Sequence, residues 1–185
     1  WITSRGLGDV YKRQVLDLMN YKEKLKKIKN FVFDVDGVFT DGSIVVDSNG
    51  NELRIFSTRD GIAVKLASDK GYNICVISGG NNEGVRKRLN RLGVKSVFLG
   101  VDDKIKVFKD YLKENNIELE ETSFMGDDLP DIKILELVGL SCCPNDAAPE
   151  VRKIVDYISN KKGGNGCVRD IIEQVLTIHG DWSMK

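Results

Sequence analysis

The amino-acid sequence predicts a three-layer α/β sandwich, in which helices cover both faces of a central parallel sheet. Short apolar segments, such as FVFDV at 31–35 and NICVIS at 73–78, alternate along the chain with amphipathic segments of helical period. Apolar runs of this kind are typical of strands that are buried on both faces. The 185 residues are enough for one domain with a sizeable core, and few for two.

The predicted elements follow in order along the chain. A short basic helix precedes the first strand, FVFDV, and the segment SIVVDSNGNELRIF then predicts a β-hairpin, because Asn49-Gly50 is a strong hairpin turn. A helix over DGIAVKLASDKG ends at Gly71. The strands NICVIS, SVFLG, TSFMG and LSCCP then alternate with helices at 82–92, 103–115 and 131–138, and a short helix near 149–154, a strand DYIS and a helix over 167–178 complete a Rossmann-like order.

Composition excludes several classes of function. The 28 Lys and Arg residues balance 28 Asp and Glu residues, whereas a nucleic-acid binder usually has a basic excess. No apolar run approaches the ~20 residues needed to span a bilayer. Four cysteines without a C-x-x-C spacing and a single histidine argue against a zinc site and favour a reducing cytoplasm. We therefore expect no nucleic-acid partner and no membrane partner.

The first residues do not resemble an evolved protein start. The stretch WITSRGLGDVYKRQVLDL has no apolar segment of the secretory kind and resembles read-through of a cloning adaptor. We expect residues 1–18 to be a non-native or disordered leader, with Met19 as a plausible native start. The domain is then expected over 19–180, and residues 181–185 form a tail.

Polar residues stand at the ends of several predicted strands. Because the carboxyl ends of parallel strands share one edge of a sheet, where ligands bind, these residues are expected to lie together. Taken singly, an Asp after a strand is commonly a turn or N-cap residue. Their joint occurrence indicates an active site. The set comprises Asp34 and Asp36 after the first strand, Ser78, Gly79 and Gly80 after the next core strand, Lys104 at a helix start, and Gly126, Asp127 and Asp128 after a later strand.

Two carboxylates one residue apart, Asp34 and Asp36, follow an apolar strand. Like charges this close raise each other's pKa and cost stability unless a cation lies between them. Mg²⁺ suits such a place because it takes carboxylates, carbonyls and water, and often bridges to a substrate phosphate. The sequence therefore predicts a Mg²⁺ site formed by Asp34, Asp36 and Asp127.

Four motifs in this order resemble those of the haloacid dehalogenase superfamily of phosphatases. They are D-x-D-G-x-x-T at 34–40, Ser78, Lys104 and G-D-D-x-x-D at 126–131. The resemblance implies that Asp34 attacks phosphorus and forms an aspartyl-phosphate, and that Asp36 acts as general acid and then as general base.

The same resemblance implies roles for the remaining motif residues. Ser78 and Lys104 would hold the phosphoryl oxygens and offset their charge. Mg²⁺ would lie between the Asp34 carboxylate, the Asp36 backbone carbonyl and Asp127. Asp128 and Asp131 would orient Lys104 or the metal-bound waters, and Thr40 would brace the Asp34 loop.

There is no room for the cap domain that usually selects substrates in this superfamily, since 41–60 holds one hairpin and 78–104 one helix and one strand. The segments DVDGVFTDG, STRDG, MGDDLPD and KKGGNGCVRDIIEQVL resemble the capless, tetrameric phosphatases of 3-deoxy-D-manno-octulosonate 8-phosphate. This resemblance implies a homotetramer in which the hairpins pack together and a flexible glycine-rich arm reaches a neighbour's site. The substrate-binding residues that we expect are Thr40, Asp41, Arg59, Gly79, Gly163, Gly164 and Arg169.

One position departs from that family's pattern. Gly80 stands where many octulosonate phosphatases have Arg, so that the cation for the sugar carboxylate must come from Arg59, Arg86 or Arg169. Phosphatases of nonulosonate 9-phosphates, and the similar domain of sialic-acid cytidylyltransferases, stay open as alternatives. So does a non-catalytic oligomerisation module. A phospho-receiver domain fits less well, because it needs an Asp at the end of its third strand.

Overall fold

A computed structural model describes residues 21–183. The predicted leader at 1–18 and the end of the predicted tail lie outside the described residues. Among residues 21–183, no helix has both the length and the apolar character needed to cross a membrane.

A six-stranded sheet forms the middle layer, in the order β5-β4-β1-β6-β7-β8, with every neighbouring pair parallel. β1 lies at the centre, so that its carboxyl end is flanked by those of β4 and β6. The strand bounds are β1 Asn30–Phe33, β2 Val45–Val46, β3 Glu52–Leu53, β4 Asn73–Ile77, β5 Ser96–Phe98, β6 Thr122–Met125, β7 Leu140–Cys143 and β8 Tyr157–Ile158.

Helices cover both faces of this sheet. The side chains of β1 alternate between the faces, since Phe31 and Phe33 join one hydrophobic cluster and Val32 joins the other. The first cluster packs under α1, α2, α3 and α7, and the second under α4, α5 and α6. The predicted three-layer sandwich is therefore confirmed. The helix bounds are α1 21–27, α2 Thr58–Asp69, α3 Glu83–Arg91, α4 Lys104–Glu114, α5 Ile132–Leu135, α6 Pro149–Arg152 and α7 Cys167–His179.

The hairpin of β2 and β3 stands apart from the main sheet. Its two antiparallel strands are two residues each, shorter than the predicted SIVVD and ELRIF, because no further strand extends their pairing. Asp47 closes the turn by accepting hydrogen bonds from the backbone N–H groups of Asn49 and Asn51. Several large apolar side chains are exposed on it: Ile44, Val45, Val46, Leu53 and Ile55.

The glycine-rich segment before α7 packs against its own chain, so that the prediction of a flexible arm at 163–166 is wrong. Gly164 N–H donates to the Val38 carbonyl at 2.9 Å, and a Cβ on Gly163 would lie 1.9 Å from the Gly37 carbonyl oxygen. A side chain would not fit in this contact, which explains the glycines physically. The segment buttresses the loop after β1.

Candidate active site

The predicted motif residues meet at the carboxyl edge of the three central strands. Asp34 follows β1, and its N–H donates to the Met125 carbonyl of β6 at 3.0 Å. Ser78 follows β4 and is bound through its N–H to the Phe98 carbonyl of β5 at 2.9 Å. Lys104 begins α4, whose N-cap is Asp103. The register of a parallel sheet thus brings four distant parts of the sequence together.

A buried lysine lies between two carboxylates at this edge. Lys104 Nζ is 3.0 Å from Asp34 Oδ2 and 2.9 Å from Asp131 Oδ1, and the Lys104 residue is 8% exposed. Burial lowers the pKa of Lys104, but the negative charges of Asp34 and Asp131 outweigh it, and the pKa is raised above its ordinary value. The lysine therefore stays cationic and fixes the position of the Asp34 carboxylate.

Three carboxylates converge beside that lysine. Oxygens of Asp34, Asp127 and Asp131 all lie within 4.8 Å of one another. Burial raises the pKa of Asp34 to about 7, and the charge of Asp131 adds to the shift. Burial likewise raises the pKa of Asp127 to about 7, together with the charges of Asp34 and Asp131. One lysine does not balance these three acids, of which Asp34 and Asp131 are buried and Asp127 is half-buried. A divalent cation with hard oxygen ligands fits this excess of negative charge.

Asp131 is already engaged within this cluster. Its Oδ1 accepts from Lys104 and its Oδ2 accepts from the Asp127 N–H at 3.1 Å. The contact between Asp131 and Lys104 is consistent with the predicted role of Asp131 in orienting that lysine. Because both oxygens of Asp131 are engaged, Asp34 and Asp127 are the better candidates for side-chain ligands of a metal ion. Gly37 makes room for Asp127, because a Cβ there would lie 2.0 Å from Asp127 Oδ2.

The side chain of Asp36 does not point into the carboxylate cluster. It forms an ion pair with Arg54, at 2.7 Å from Nε to Oδ1 and 3.1 Å from Nη2 to Oδ2. The Asp36 carboxylate is thus bound outside the cluster, and the predicted contact of Mg²⁺ with the Asp36 backbone carbonyl stays a prediction. The Asp36 side chain is 29% exposed and lines a cleft beside the hairpin.

The loop after β1 is held by Thr40. Its Oγ1 accepts from the N–H groups of Gly37 and Gly42 at 3.3 and 3.2 Å, and its side chain is completely buried. Thr40 therefore braces the loop and has no exposed surface for substrate, contrary to its prediction as a substrate-binding residue. Asp41 is exposed and accepts from the Ser43 N–H.

Other predicted residues occupy the edges of the site. Ser78 is buried, and its Oγ accepts from the Gly80 N–H at 3.1 Å, which leaves its hydroxyl proton for another acceptor. Gly79 and Gly80 line a cleft together with Asp36. Asp128 caps the short 3₁₀ helix Leu129–Asp131 and is exposed, so that it lies outside the carboxylate cluster.

Two of the three arginines expected to bind a carboxylate, Arg86 and Arg169, have other partners. Arg86 donates to the Val97 carbonyl and to Glu83. Arg59 and Arg169 line a separate cleft of about 540 Å³ beside the glycine-rich segment, and Arg169 pairs with Glu173 there. The cation that the structure brings to Asp36 is Arg54, which sequence reasoning missed. The available signal was a basic residue between apolar neighbours in the hairpin strand ELRIF.

A haloacid dehalogenase-like hydrolase family model matches residues 97–171. The 3-deoxy-D-manno-octulosonate 8-phosphate phosphatase of Haemophilus influenzae is 34% identical over 163 residues, which is 88% of this chain and 91% of the relative. The chain belongs to this phosphatase family. The enzyme of the same name from Escherichia coli K12 is 34% identical over 157 residues, covering 85% of this chain and 84% of the relative.

Solved structures of the octulosonate phosphatase family share the fold. One from Yersinia pestis aligns with a TM-score of 0.85 at 29% identity, covering 88% of each chain. One from Moraxella catarrhalis, in complex with a magnesium ion, a phosphate ion and a KDO molecule, aligns with a TM-score of 0.82 at 34% identity, covering 85% of this chain and 90% of that one. The family resemblance predicted from the motifs is confirmed.

Proposed function

We propose that this chain is a Mg²⁺-dependent phosphatase that removes the phosphate of 3-deoxy-D-manno-octulosonate 8-phosphate, in the synthesis of the lipopolysaccharide inner core. The observation that carries the proposal is the ion-paired Lys104 between Asp34 and Asp131, with Asp127 beside them, at the carboxyl edge of the sheet. The relatives named for this reaction, and the Moraxella structure that holds magnesium, phosphate and KDO, support the choice of substrate and metal.

The proposed reaction has two displacements at phosphorus. A carboxylate oxygen of Asp34 attacks phosphorus, the bond to the sugar oxygen breaks, and Asp36 gives that oxygen a proton. Asp36 then removes a proton from a water molecule that attacks the phosphorus of the aspartyl-phosphate. Inorganic phosphate leaves, and Asp34 is regenerated.

The rest of the site positions charge for these steps. Lys104 and the Ser78 hydroxyl hold the phosphoryl oxygens, in a buried environment where such contacts are strong. Asp34, Asp127 and the Asp36 carbonyl would hold Mg²⁺, which when bound withdraws negative charge from the phosphoryl group. Asp131 keeps Lys104 in place through their 2.9 Å contact.

We propose a homotetramer built through the hairpin. The chain has a hairpin where a cap could stand after β1, and exposed apolar side chains such as Val46 and Ile55 cover that hairpin. Neighbouring chains packed there would remove these side chains from water and narrow the open edge of the site. We also infer a cytoplasmic location, which the four buried free cysteines support.

Phosphate release from a panel of esters tests the proposal. Octulosonate 8-phosphate, a nonulosonate 9-phosphate and p-nitrophenyl phosphate are compared after EDTA treatment, with and without added Mg²⁺. We expect Mg²⁺ to restore activity and the octulosonate ester to have the highest kcat/KM. A higher value for the nonulosonate ester would reassign the substrate, and no hydrolysis of any ester with Mg²⁺ would overturn the function.

A further inference from the structure

Arg54 extends from the hairpin to the loop after β1, where it pairs with Asp36. Its Nε and Nη2 donate to the two oxygens of Asp36 at 2.7 and 3.1 Å, and its side chain is 4% exposed. A bidentate pair of this kind fixes the direction of a carboxylate as well as its charge. Arg54 therefore determines where the Asp36 carboxylate points.

The guanidinium of Arg54 is itself held in place by its surroundings. Its Nη1 lies 3.1 Å from Glu52 Oε2. The Asn82 side chain donates to the Glu52 backbone carbonyl at 2.7 Å, which attaches strand β3 to the segment that follows β4. Because Arg54 comes directly after β3, this attachment fixes the place from which Arg54 reaches Asp36.

The missing side chain of Gly80 leaves a space that borders both this ion pair and Ser78. A Cβ built on Gly80 would lie 3.1 Å from Arg54 Nη2, 3.1 Å from Asp36 Oδ2 and 3.5 Å from Ser78 Oγ. In the proposed function, Ser78 holds a phosphoryl oxygen. A water molecule that enters this space can therefore contact the Asp36 carboxylate close to the phosphoryl group.

The Asp36 carboxylate keeps acceptor sites for such a water molecule. An ionised carboxylate has about four acceptor sites, and the bidentate pair with Arg54 takes two of them. The Asp36 side chain is 29% exposed, so that solvent reaches the remaining sites. The pair thus orients Asp36 without blocking it.

We propose that Arg54 is a positioning residue for the second displacement, in which water attacks the aspartyl-phosphate. Arg54 holds Asp36 so that its carboxylate takes the proton of that water. The water oxygen bonds to phosphorus, the bond from phosphorus to the Asp34 oxygen breaks, and its electron pair stays on Asp34. The inference rests on the proposed function, and it needs no contact between Arg54 and the substrate.

Rapid mixing with p-nitrophenyl phosphate and Mg²⁺ separates the two displacements. Nitrophenolate leaves without a proton from the protein, so that its first turnover reports the first displacement and phosphate release reports the second. In Arg54→Gln, we expect phosphate release to slow by roughly tenfold to a hundredfold, a part of what a positioned base contributes. The first nitrophenolate turnover should stay near that of the parent protein. Phosphorylated Asp34 should then accumulate, which mass spectrometry of acid-quenched samples measures.

Two further variants perturb the same pair. Arg54→Lys keeps the charge but not the bidentate geometry, and should restore part of the phosphate release that Arg54→Gln loses. The methyl group of Gly80→Ala would press on Arg54 and Asp36, and should slow phosphate release more than the first nitrophenolate turnover. The exposed arginine at the end of α3 gives the matched control, Arg91→Gln, in which both rates stay unchanged.

The outcome that overturns the inference is equally specific. A thermal melt shows which variants are folded, and if Arg54→Gln is not, Arg54→Lys and Gly80→Ala provide the comparison with the parent protein. A first nitrophenolate turnover that slows as much as phosphate release, or phosphate release that does not slow, would overturn the role of Arg54. Mg²⁺-dependent phosphate release from octulosonate 8-phosphate by the parent protein would show that the proposed phosphatase function still stands in that case.

Discussion

At the residue scale, the site is defined by an imbalance of buried charge. Asp34, Asp127 and Asp131 face a single buried cation, Lys104. In a medium of low polarity such an excess keeps protons bound or attracts a metal ion. The raised pKa values of Asp34 and Asp127 show the tendency to keep protons bound. The proposed Mg²⁺ would balance the same excess of charge by binding to the ionised carboxylates.

Replacement of the nucleophile is the first prediction. Asp34→Asn should lower turnover by several orders of magnitude, since a neutral amide does not attack phosphorus. The fold should persist, because the amide can still accept from Lys104. Steady-state phosphate release measures the turnover, and a thermal melt shows whether the fold persists. Asp110→Asn, at an exposed acid of α4, is the matched control and should keep full activity. Even a tenth of normal turnover in Asp34→Asn would contradict covalent catalysis.

Stabilisation by Mg²⁺ should depend on pH. Because the folded-state pKa values of Asp34 and Asp127 are raised from 3.8 to about 7, their protons stabilise the metal-free fold at low pH, and this stability is lost as the pH rises through about 7. Mg²⁺ requires the ionised carboxylates, so that added Mg²⁺ should raise Tm more at about pH 8 than at about pH 5. In Asp127→Asn this difference should largely vanish. An equal Tm rise at both pH values in the unsubstituted protein would refute the site.

The sequence predicts some of these residues and not others for a physical reason. Asp34, Lys104 and Asp127 follow strands or begin a helix, and parallel strand ends share an edge whatever the side chains do. Arg54 reaches the site through the fold of a hairpin outside the sheet, and a period-two pattern does not give that hairpin's direction. The orientation of the Asp36 side chain depends on its ion pair with Arg54, and so it could not be predicted from the sequence either.

At the element scale, a buried acid of α2 binds the start of α7, in addition to the apolar packing between the two helices. Asp60 accepts from the Gly166 N–H at 3.2 Å and from the Arg169 N–H at 2.8 Å, at the start of α7. Burial raises the pKa of Asp60, while these backbone hydrogen bonds oppose the shift. Because the glycine-rich segment beside it also supports the loop of Asp34, this attachment bears on the active site.

Removing one of the two acceptor oxygens of Asp60 should destabilise the protein. Asp60→Asn replaces an acceptor of two backbone N–H groups by an amide that accepts through one oxygen, and we expect the free energy of unfolding to fall by about 2 kcal/mol. Asp69→Asn, at the exposed end of the same helix, should change it by less than about 1 kcal/mol. Urea unfolding followed by circular dichroism measures both. Equal, small effects would show that Asp60 does not hold α7.

The predicted element boundaries differ most from the observed ones where tertiary contacts determine where an element begins and ends. The predicted helix 131–138 is α5 at Ile132–Leu135, preceded by a 3₁₀ turn that Asp128 caps. The glycine run at 163–166 was expected to be mobile because glycine is permissive, yet it is glycine that allows its close contact with Gly37 and Thr40. Glycine occurs both in mobile segments and at close backbone contacts, and the sequence alone does not show which of the two a glycine run forms.

At the scale of the whole molecule, the exposed hairpin argues for assembly. Val46 is 63% exposed and Ile55 is 78% exposed, on an element that a single chain leaves uncovered. Val46→Asp should therefore dissociate the proposed tetramer, because a buried unpaired charge opposes association. Light scattering gives the mass. Leu119→Asp, an exposed apolar position remote from the hairpin in the sequence, should keep the assembly. A monomeric parent protein would contradict the proposal.

The stereochemical course at phosphorus tests the central claim most directly, namely that Asp34 forms a covalent bond to the phosphoryl group. The substrate is octulosonate 8-phosphate in which one phosphoryl oxygen is replaced by sulfur and another is a heavy oxygen isotope, so that the phosphorus is chiral. It is hydrolysed with Mg²⁺ in water that carries a different oxygen isotope, and the configuration of the released thiophosphate is determined. Two successive in-line displacements, the first by Asp34 and the second by water, predict overall retention. Inversion would mean that water attacks the substrate directly, and would contradict this account.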